Sequence, residues 1–187
     1  MRKIRVKNYS DVYIGEYPFH KQLKDELVPL LEKYPDKQGM QTNVQATMTE
    51  WDWNLENDRL KRLKNNIVEF ANYNCSFGKG VYRDFGYEKE RYFMKTFWGN
   101  IYRKGNYTRL HDHRPNNLSC VYFLKSKWYH SPLVFTDSGK KIRPKEGNFV
   151  IFPSHLEHLV PIHRYRETRI TLSGNILIKD SLFTKCL

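Results

Sequence analysis

The chain has 187 residues and a formal net charge of +12, from 32 basic and 20 acidic side chains. This length suits one domain with a sizeable core, and the abundant aromatic residues favour a β-rich core over a helical bundle. The sequence has no long apolar run, and its three cysteines (Cys75, Cys120 and Cys186) form no paired motif. We therefore expect a soluble, cytoplasmic protein with no membrane partner.

The excess of basic residues is typical either of a protein that binds an anionic partner, such as nucleic acid, or of a highly soluble one. Lysines and arginines are spread along the chain, with short runs at 61–64, 140–141 and 164–166, and no single basic arm stands out. We interpret the charge as serving solubility and keep nucleic acid as the alternative.

The first half of the sequence predicts two helices and a few short strands. Residues 1–18 alternate weakly, which indicates one or two edge strands, and residues 42–48 indicate another strand. Apolar side chains at helical spacing predict helices over 20–34 and 55–73, and Pro29 is expected to kink or divide the first. Glycines mixed with charges predict a loop over 74–91.

From Arg91 onwards the hydrophobic pattern changes to period two. Trp98, Asn100 and Tyr102 then share one face of a strand and form a row of aromatic and polar side chains. Short turns separate further predicted strands over 118–124, 133–135, 149–152, 159–162 and 169–178. Many short strands predict a sandwich or barrel of the jelly-roll kind, in a single domain over 1–187.

Three histidines have the spacing of metal ligands. His111 and His113 are two residues apart, so on a strand they point to the same face and can bind one metal together. His158 would come from another strand, which a closed barrel can place opposite. Asp112 would face away unless the strand is irregular there. Imidazole suits Fe(II), but it suits zinc and copper equally well.

The remaining histidines have simpler interpretations. His155 is the main rival of His158, but it lies at a turn, whereas His158 begins the next predicted strand. We expect His130 and His163 to lie in loops or at the rim, and His20 to be structural. A His-x-His pair also occurs by chance in many chains, so it is the order of these residues with a downstream arginine that favours a site.

The last predicted strand adds an anion-binding group. Arg169, Thr171, Ser173 and Asn175 lie on one face of it, and apolar residues lie on the other. The fork of an arginine matches a carboxylate, and Thr171 can donate a hydrogen bond to the same group. Histidine ligands beside a carboxylate-binding arginine predict a non-haem Fe(II) site that uses 2-oxoglutarate.

In these stretches the chain resembles the 2-oxoglutarate and Fe(II)-dependent oxygenase superfamily, most closely its bacterial and phage members. The matching stretches are 42–44, 100–105, 111–113, 118–122, 147–153 with His158, and 169–175. The resemblance implies a mainly β fold, a double-stranded β-helix (jelly-roll or cupin-like) over about 91–180, flanked by two or so N-terminal helices.

The resemblance also implies roles for single residues. It makes His111 and His158 iron ligands, pairs Arg169 with the distal carboxylate of 2-oxoglutarate, and gives Tyr102 or Asn100 a part in holding that cosubstrate.

The sequence departs from the superfamily at one expected ligand. The superfamily usually has a carboxylate two residues after the first histidine, where this chain has His113. Three imidazoles suit Fe(II) but carry one less negative charge, and Asp112 replaces His113 only if the backbone breaks the strand alternation. A second departure is Cys120, where related chains tend to have a small residue.

We therefore expect a dioxygenase that uses O₂ and hydroxylates a substrate that the sequence does not identify. One alternative is a cupin-like metal- or ligand-binding protein without catalysis, which the missing carboxylate favours. Another is a three-His iron dioxygenase that does not use 2-oxoglutarate, against which Arg169 and Thr171 argue. A nucleic-acid substrate is supported only by the net charge.

Overall fold

A computed structural model describes residues 1–7, 10–35, 42–53, 57–75 and 92–178 of the chain. The elements in these ranges are β1 (Arg2–Lys7), β2 (Ser10–Glu16), α1 (His20–Glu32), β3 (Val44–Gln45), β4 (Thr47–Met48), α2 (Asp58–Asn74), β5 (Tyr92–Tyr102), β6 (Tyr107–His111), β7 (Leu118–Lys125), β8 (Leu133–Phe135), β9 (Lys140–Ile142), β10 (Asn148–Pro153), β11 (His158–Val160) and β12 (Arg169–Ile178).

The strands form two antiparallel sheets that face each other. The large sheet has the order β1-β2-β10-β7-β12-β5-β4, and the small sheet has the order β3-β6-β11-β8-β9. Strands that neighbour each other in a sheet are mostly distant in the sequence, as expected for a jelly roll. The predicted mainly β architecture with two N-terminal helices is confirmed.

The large sheet is buried on both faces, and β7 shows why. Val121 and Phe123 belong to an apolar cluster that fills the space between the two sheets. The alternate residues Cys120, Tyr122 and Leu124 belong to a second cluster, between the large sheet and the helices. Because alternate side chains of a strand point to opposite faces, a strand covered on both sides is apolar throughout.

Both predicted helices are confirmed with small shifts at their ends. The expected division at Pro29 is wrong, because this residue lies in the last turn of an unbroken α1. Asn57 accepts a hydrogen bond from the backbone N–H of Leu60 at 3.0 Å, and this cap explains why α2 begins at Asp58. Each helix buries one apolar stripe against the large sheet: Leu23, Leu27 and Leu31 in α1, and Leu60, Leu63, Ile67 and Ala71 in α2.

The single strand predicted over 42–48 is wrong. Its first part, β3, pairs with β6 in the small sheet, whereas β4 pairs with β5 in the large sheet. The chain therefore passes from one sheet to the other at Ala46, and an alternating sequence pattern does not reveal such a change. The short strand β9, with two lysines, was also not predicted.

The predicted strand near the N-terminus is confirmed, since β1 forms one edge of the large sheet. The predicted loop over 74–91 lies outside the described residues from 76 onwards. Cys75 and Cys120 are free and buried, and Cys186 lies outside the described residues. Across the described ranges, neither helix has the length and apolar character needed to cross a membrane.

Candidate functional site

Two of the candidate metal ligands are cross-strand partners. His111 ends β6, His158 begins β11, and these strands pair so that His111 lies directly opposite His158. Their ring centroids are 4.3 Å apart. His158 therefore comes from another strand, as predicted, and this strand is the neighbour of β6 in the same sheet rather than one on the opposite side of the barrel.

His113 reaches the same place from a loop. The strand ends at His111, so strand alternation does not orient His113, contrary to the prediction. The loop is fixed instead by hydrogen bonds: the backbone N–H of His113 donates to the carbonyl of Ser154 at 2.8 Å, and Asn116 donates to the carbonyl of His113. The His113 ring stacks on that of His158, with centroids 5.1 Å apart.

The three imidazoles form a cluster that could hold a metal ion. One nitrogen of each ring lies within 4.8 Å of the others. In two of the rings the other nitrogen is already used: Nδ1 of His111 donates to the carbonyl of Arg109 at 2.8 Å, and Nδ1 of His158 donates to that of Leu156 at 2.9 Å. A carbonyl can only accept, so Nδ1 carries the proton and Nε2 keeps its lone pair. Backbone carbonyls orient metal-binding histidines in this way.

Burial keeps these imidazoles neutral. Burial is the main cause, with a smaller contribution from neighbouring histidines, and together they lower the pKa of His158 to about 3 and that of His113 to about 4. The pKa of His111 is lowered by burial too. Metal binding needs unprotonated rings, so the cluster is ready to bind metal at neutral pH.

Asp112 does not join the imidazoles. Its carboxylate pairs with Arg114, with Oδ2 2.5 Å from Nη2 and 2.8 Å from Nε, and its Oδ1 accepts from the backbone N–H of Arg114 at 3.0 Å. Hydrogen bonds from Arg114 hold the pKa of Asp112 below its usual range. Of the two residues that the sequence left open, the structure places His113 in the cluster. His155 is exposed, with its ring 3.5 Å from the hydroxyl of Ser10.

Arg169 is a buried cation with no acid beside it. Its side chain is 1% exposed, and its Nε and Nη1 atoms have no hydrogen-bond partner. The guanidinium carbon lies 4.7 Å from the centre of the Tyr102 ring and 5.7 Å from that of Phe123. No carboxylate of the described residues forms an ion pair with it. Since a buried unpaired charge is costly, Arg169 is poised to bind an anion.

The imidazoles and Arg169 line one cavity between the sheets, together with Thr171, Tyr102 and Asn100. The cavity has about 430 Å³ of space free of protein atoms, its open mouth included. All seven site residues that the sequence singled out thus surround a single space.

Two of these residues are already engaged within the protein. The Asn100 amide accepts a hydrogen bond from the indole of Trp98 at 3.1 Å and donates to the hydroxyl of Ser173 at 3.0 Å. The Tyr102 hydroxyl lies 2.7 Å from that of Thr108. Thr108 lines the cavity as well, and no pattern in the sequence indicated this position. Asn100 and Tyr102 therefore shape the wall as well as facing the cavity.

Cys120 also borders the cavity, although its side chain belongs to the cluster between the large sheet and the helices. Burial raises the pKa of its thiol to about 12, so it stays a neutral thiol at physiological pH. It packs in the large sheet, where its partner on β12 is Gly174.

The fold is shared with solved structures of 2-oxoglutarate-dependent enzymes. A viral collagen prolyl hydroxylase from Paramecium Bursaria Chlorella virus-1, in complex with 2-oxoglutarate, has a TM-score of 0.64 at 14% identity, over 88% of this chain and 94% of that one. A Pseudomonas putida prolyl-4-hydroxylase has a TM-score of 0.63 at 15% identity, over 90% of this chain and 93% of that one.

An epimerase is similar as well: the non-heme alpha-ketoglutarate-dependent SnoN of nogalamycin biosynthesis has a TM-score of 0.66 at 12% identity, over 89% of this chain and 76% of that one. No model of a protein family and no curated protein sequence matches the chain. The structural likeness establishes the fold, the double-stranded β-helix of 2-oxoglutarate and Fe(II)-dependent oxygenases. The cavity, with its three imidazoles and its buried arginine, fits Fe(II) and 2-oxoglutarate.

Proposed function

We propose that this protein is an Fe(II)- and 2-oxoglutarate-dependent dioxygenase that hydroxylates an organic substrate. His111, His113 and His158 hold the iron, and Arg169 with Thr171 binds the distal carboxylate of 2-oxoglutarate. The observation that carries the proposal is the buried guanidinium without an anionic partner, in the same cavity as three neutral imidazoles.

Arg169 and the imidazoles face the cavity at different levels of β12. Arg169 is level with Tyr102, whereas Ser173 is level with Trp98, whose ring lies 6.0 Å from that of His113. Four residues along β12 separate these levels, which corresponds to roughly 13 Å of strand. A ligand with an anionic group at each end, such as a dicarboxylate, suits this arrangement, because one end can reach the metal and the other can reach Arg169.

The protein's own residues bind and orient these groups. Nε2 of His111 and of His158 point their lone pairs to a common place because backbone carbonyls fix both rings. Arg169 offers a two-pronged contact, and the aromatic rings of Tyr102 and Phe123 exclude water around it. When bound, iron and 2-oxoglutarate supply the oxidation chemistry with O₂.

The third histidine changes the charge of the proposed centre. With His113 in place of a carboxylate, the protein contributes three neutral ligands and no negative charge. A bound 2-oxoglutarate dianion would supply that charge, so we expect it to strengthen iron binding more than in a site with a carboxylate ligand. The same histidine is the observation that favours the second candidate, a metal-binding protein of this fold without catalysis.

An anaerobic titration separates these candidates. Metal-free protein is titrated with Fe(II) and then with 2-oxoglutarate while the visible spectrum is recorded. We expect a charge-transfer band that needs both components and disappears in His158→Ala. Iron binding without a band would support the metal-binding candidate or a dioxygenase without 2-oxoglutarate, and absence of iron binding would reject the iron centre.

The matched control is His155→Ala, because His155 is exposed and lies only three residues before His158. This variant should keep the band. Loss of the band in both variants would point to damage to the segment rather than to a lost ligand.

Because two of the similar structures are prolyl hydroxylases, a proline-containing peptide is the first substrate to assay for succinate release.

A further inference from the structure

A large groove lies on a part of the molecule that shares no residue with the cavity. It is bounded by β1, β2, β9, β10 and the segment after β7, and it contains about 2190 Å³ of free space, its open side included. We call it the basic groove and define it by the cations and the indole that line it: Arg2, Lys127, Trp128, Lys141, Arg143 and Lys145.

The groove has a local excess of positive charge. Among the described residues, two carboxylates line it, and each is paired with a lysine: Glu16 lies 3.3 Å from Lys145, and Glu146 lies 2.7 Å from Lys24. The four remaining cations, Arg2, Lys127, Lys141 and Arg143, are exposed and form no ion pair with another described residue. Unpaired cations gathered in a concave surface focus an attractive field on anions.

Trp128 adds an apolar face to this charged surface. Its side chain is 73% exposed, whereas Trp98 and Trp53 are 2% and 8% exposed. Its ring makes a T-shaped contact with that of Tyr129, with centroids 5.8 Å apart, and most of the indole surface stays accessible to solvent. An exposed planar ring beside a row of cations is the combination that binds unpaired nucleobases and their phosphates.

We propose that the basic groove binds single-stranded nucleic acid, with the cations contacting phosphates and Trp128 stacking on a base. A duplex hides the faces of its bases, and an acidic peptide offers carboxylates but no regular series of planar groups for the indole. The groove is open on one side, so a flexible strand can enter it. This inference goes beyond the proposed oxygenase function and does not depend on iron or 2-oxoglutarate.

The test is fluorescence anisotropy of a labelled 15-nucleotide oligothymidylate, with the metal-free full-length protein, over a series of salt concentrations. We expect affinity to fall with salt, with a slope of about −0.7 per phosphate contacted. Lys141→Glu and Arg143→Glu should each weaken binding and flatten that slope. Trp128→Ala should weaken binding roughly 5- to 150-fold with the slope little changed.

The matched control is Lys104→Glu, which lowers the net charge by the same amount at an exposed turn outside the groove. It should bind almost as well as the wild type. Equal weakening by Lys104→Glu and Lys141→Glu would overturn the proposal, because the attraction would then belong to the overall charge. Absence of binding at low salt would overturn it too, as would tighter binding of polyglutamate that is insensitive to Trp128→Ala.

Discussion

Two groups of histidines in this molecule differ in what they offer to a metal. His111, His113 and His158 form the imidazole cluster. His130 and His163 form a second group, the histidine pair, with ring centroids 4.7 Å apart. Burial is the main cause that lowers the pKa of every one of these rings. A lowered histidine pKa therefore does not distinguish the two groups.

The distinction lies in the free nitrogen atoms. In the histidine pair, Nδ1 of His130 accepts from the backbone N–H of Lys127 at 3.2 Å, so its Nε2 carries the proton and cannot bind a metal. His163 donates from Nε2 to the carbonyl of Glu167 at 2.8 Å, which leaves one lone pair, on Nδ1. Tyr165 packs against both rings, and neither lines the cavity. A metal centre thus requires several lone pairs that converge on an accessible space.

The largest expected effect tests this distinction directly. His111→Ala should lower the affinity for Fe(II) at least roughly a hundredfold, since even the loss of a residue that only orients a ligand costs about ten- to a hundredfold. His163→Gln should leave the affinity unchanged. Isothermal titration calorimetry under anaerobic conditions measures both, and circular dichroism checks that both variants are folded. An equal loss of Fe(II) affinity in the two variants would show that the imidazole cluster and the histidine pair do not differ in metal binding.

Arg169→Ala should give the next largest effect. Removing one partner of a buried charge pair costs about 2–5 kcal/mol, so the 2-oxoglutarate concentration needed for half-saturation should rise about thirtyfold or more. Iron affinity without 2-oxoglutarate should be unchanged. Arg169→Lys keeps the charge but not the two-pronged guanidinium, so its 2-oxoglutarate requirement should lie between those of the wild type and Arg169→Ala. An unchanged 2-oxoglutarate requirement in Arg169→Ala would remove the role proposed for this residue.

A smaller effect concerns acid stability and the histidine pair. Burial, with help from His163 and Arg169, lowers the pKa of His130 from 6.5 to about 4. The unfolded chain therefore binds this proton more readily, and stability is lost as pH falls from 6.5 towards 4, with no change above 6.5. His130→Gln should lose less Tm between pH 7 and pH 5 than the wild type, by about 2–4 °C. An equal fall in Tm in His130→Gln and in the wild type would show that His130 does not contribute to the loss of stability in acid.

The smallest effect is expected for Asp112→Asn. The carboxylate of Asp112 is engaged by Arg114 and lies outside the imidazole cluster, so iron affinity should stay at the wild-type value. Loss of an exposed ion pair also changes stability little. A large loss of iron affinity in this variant, measured as for His111→Ala, would make Asp112 a ligand and reopen the choice between it and His113.

The sequence alone identified seven of the residues that line the cavity, but not how they come together. Period-two alternation correctly put Trp98, Asn100 and Tyr102 on one face, and the same rule placed Arg169 with Thr171. The position of His158 depends on strand order, because β11 lies between β6 and β8. The hydrophobic pattern of a single sequence does not reveal which distant strands pair. A chain of alternating residues also does not show that a strand ends just before Asp112.

The burial of two histidines and the clustering of basic residues also depend on which distant segments meet, so the sequence analysis missed both. His130 and His163 lie in loops as expected, but they are buried rather than at the rim, because aromatic residues from two loops cover them. The basic residues looked evenly spread, yet Arg2, Lys127 and Arg143 meet in one groove. The interpretation of the charge as serving solubility rested on linear spacing, which says little about proximity in a jelly roll.

The indole of Trp98 gives the proposed iron centre an optical reporter. Its ring lies 6.0 Å from that of His113, and Trp51, which is 42% exposed, lies 4.7 Å from Trp98 in turn. A paramagnetic ion with visible absorption, bound among the imidazoles, would quench the fluorescence of these two tryptophans. The intensity of tryptophan fluorescence would then fall as metal binds. Trp128 lies in the basic groove, so its fluorescence would respond instead to a ligand of that groove.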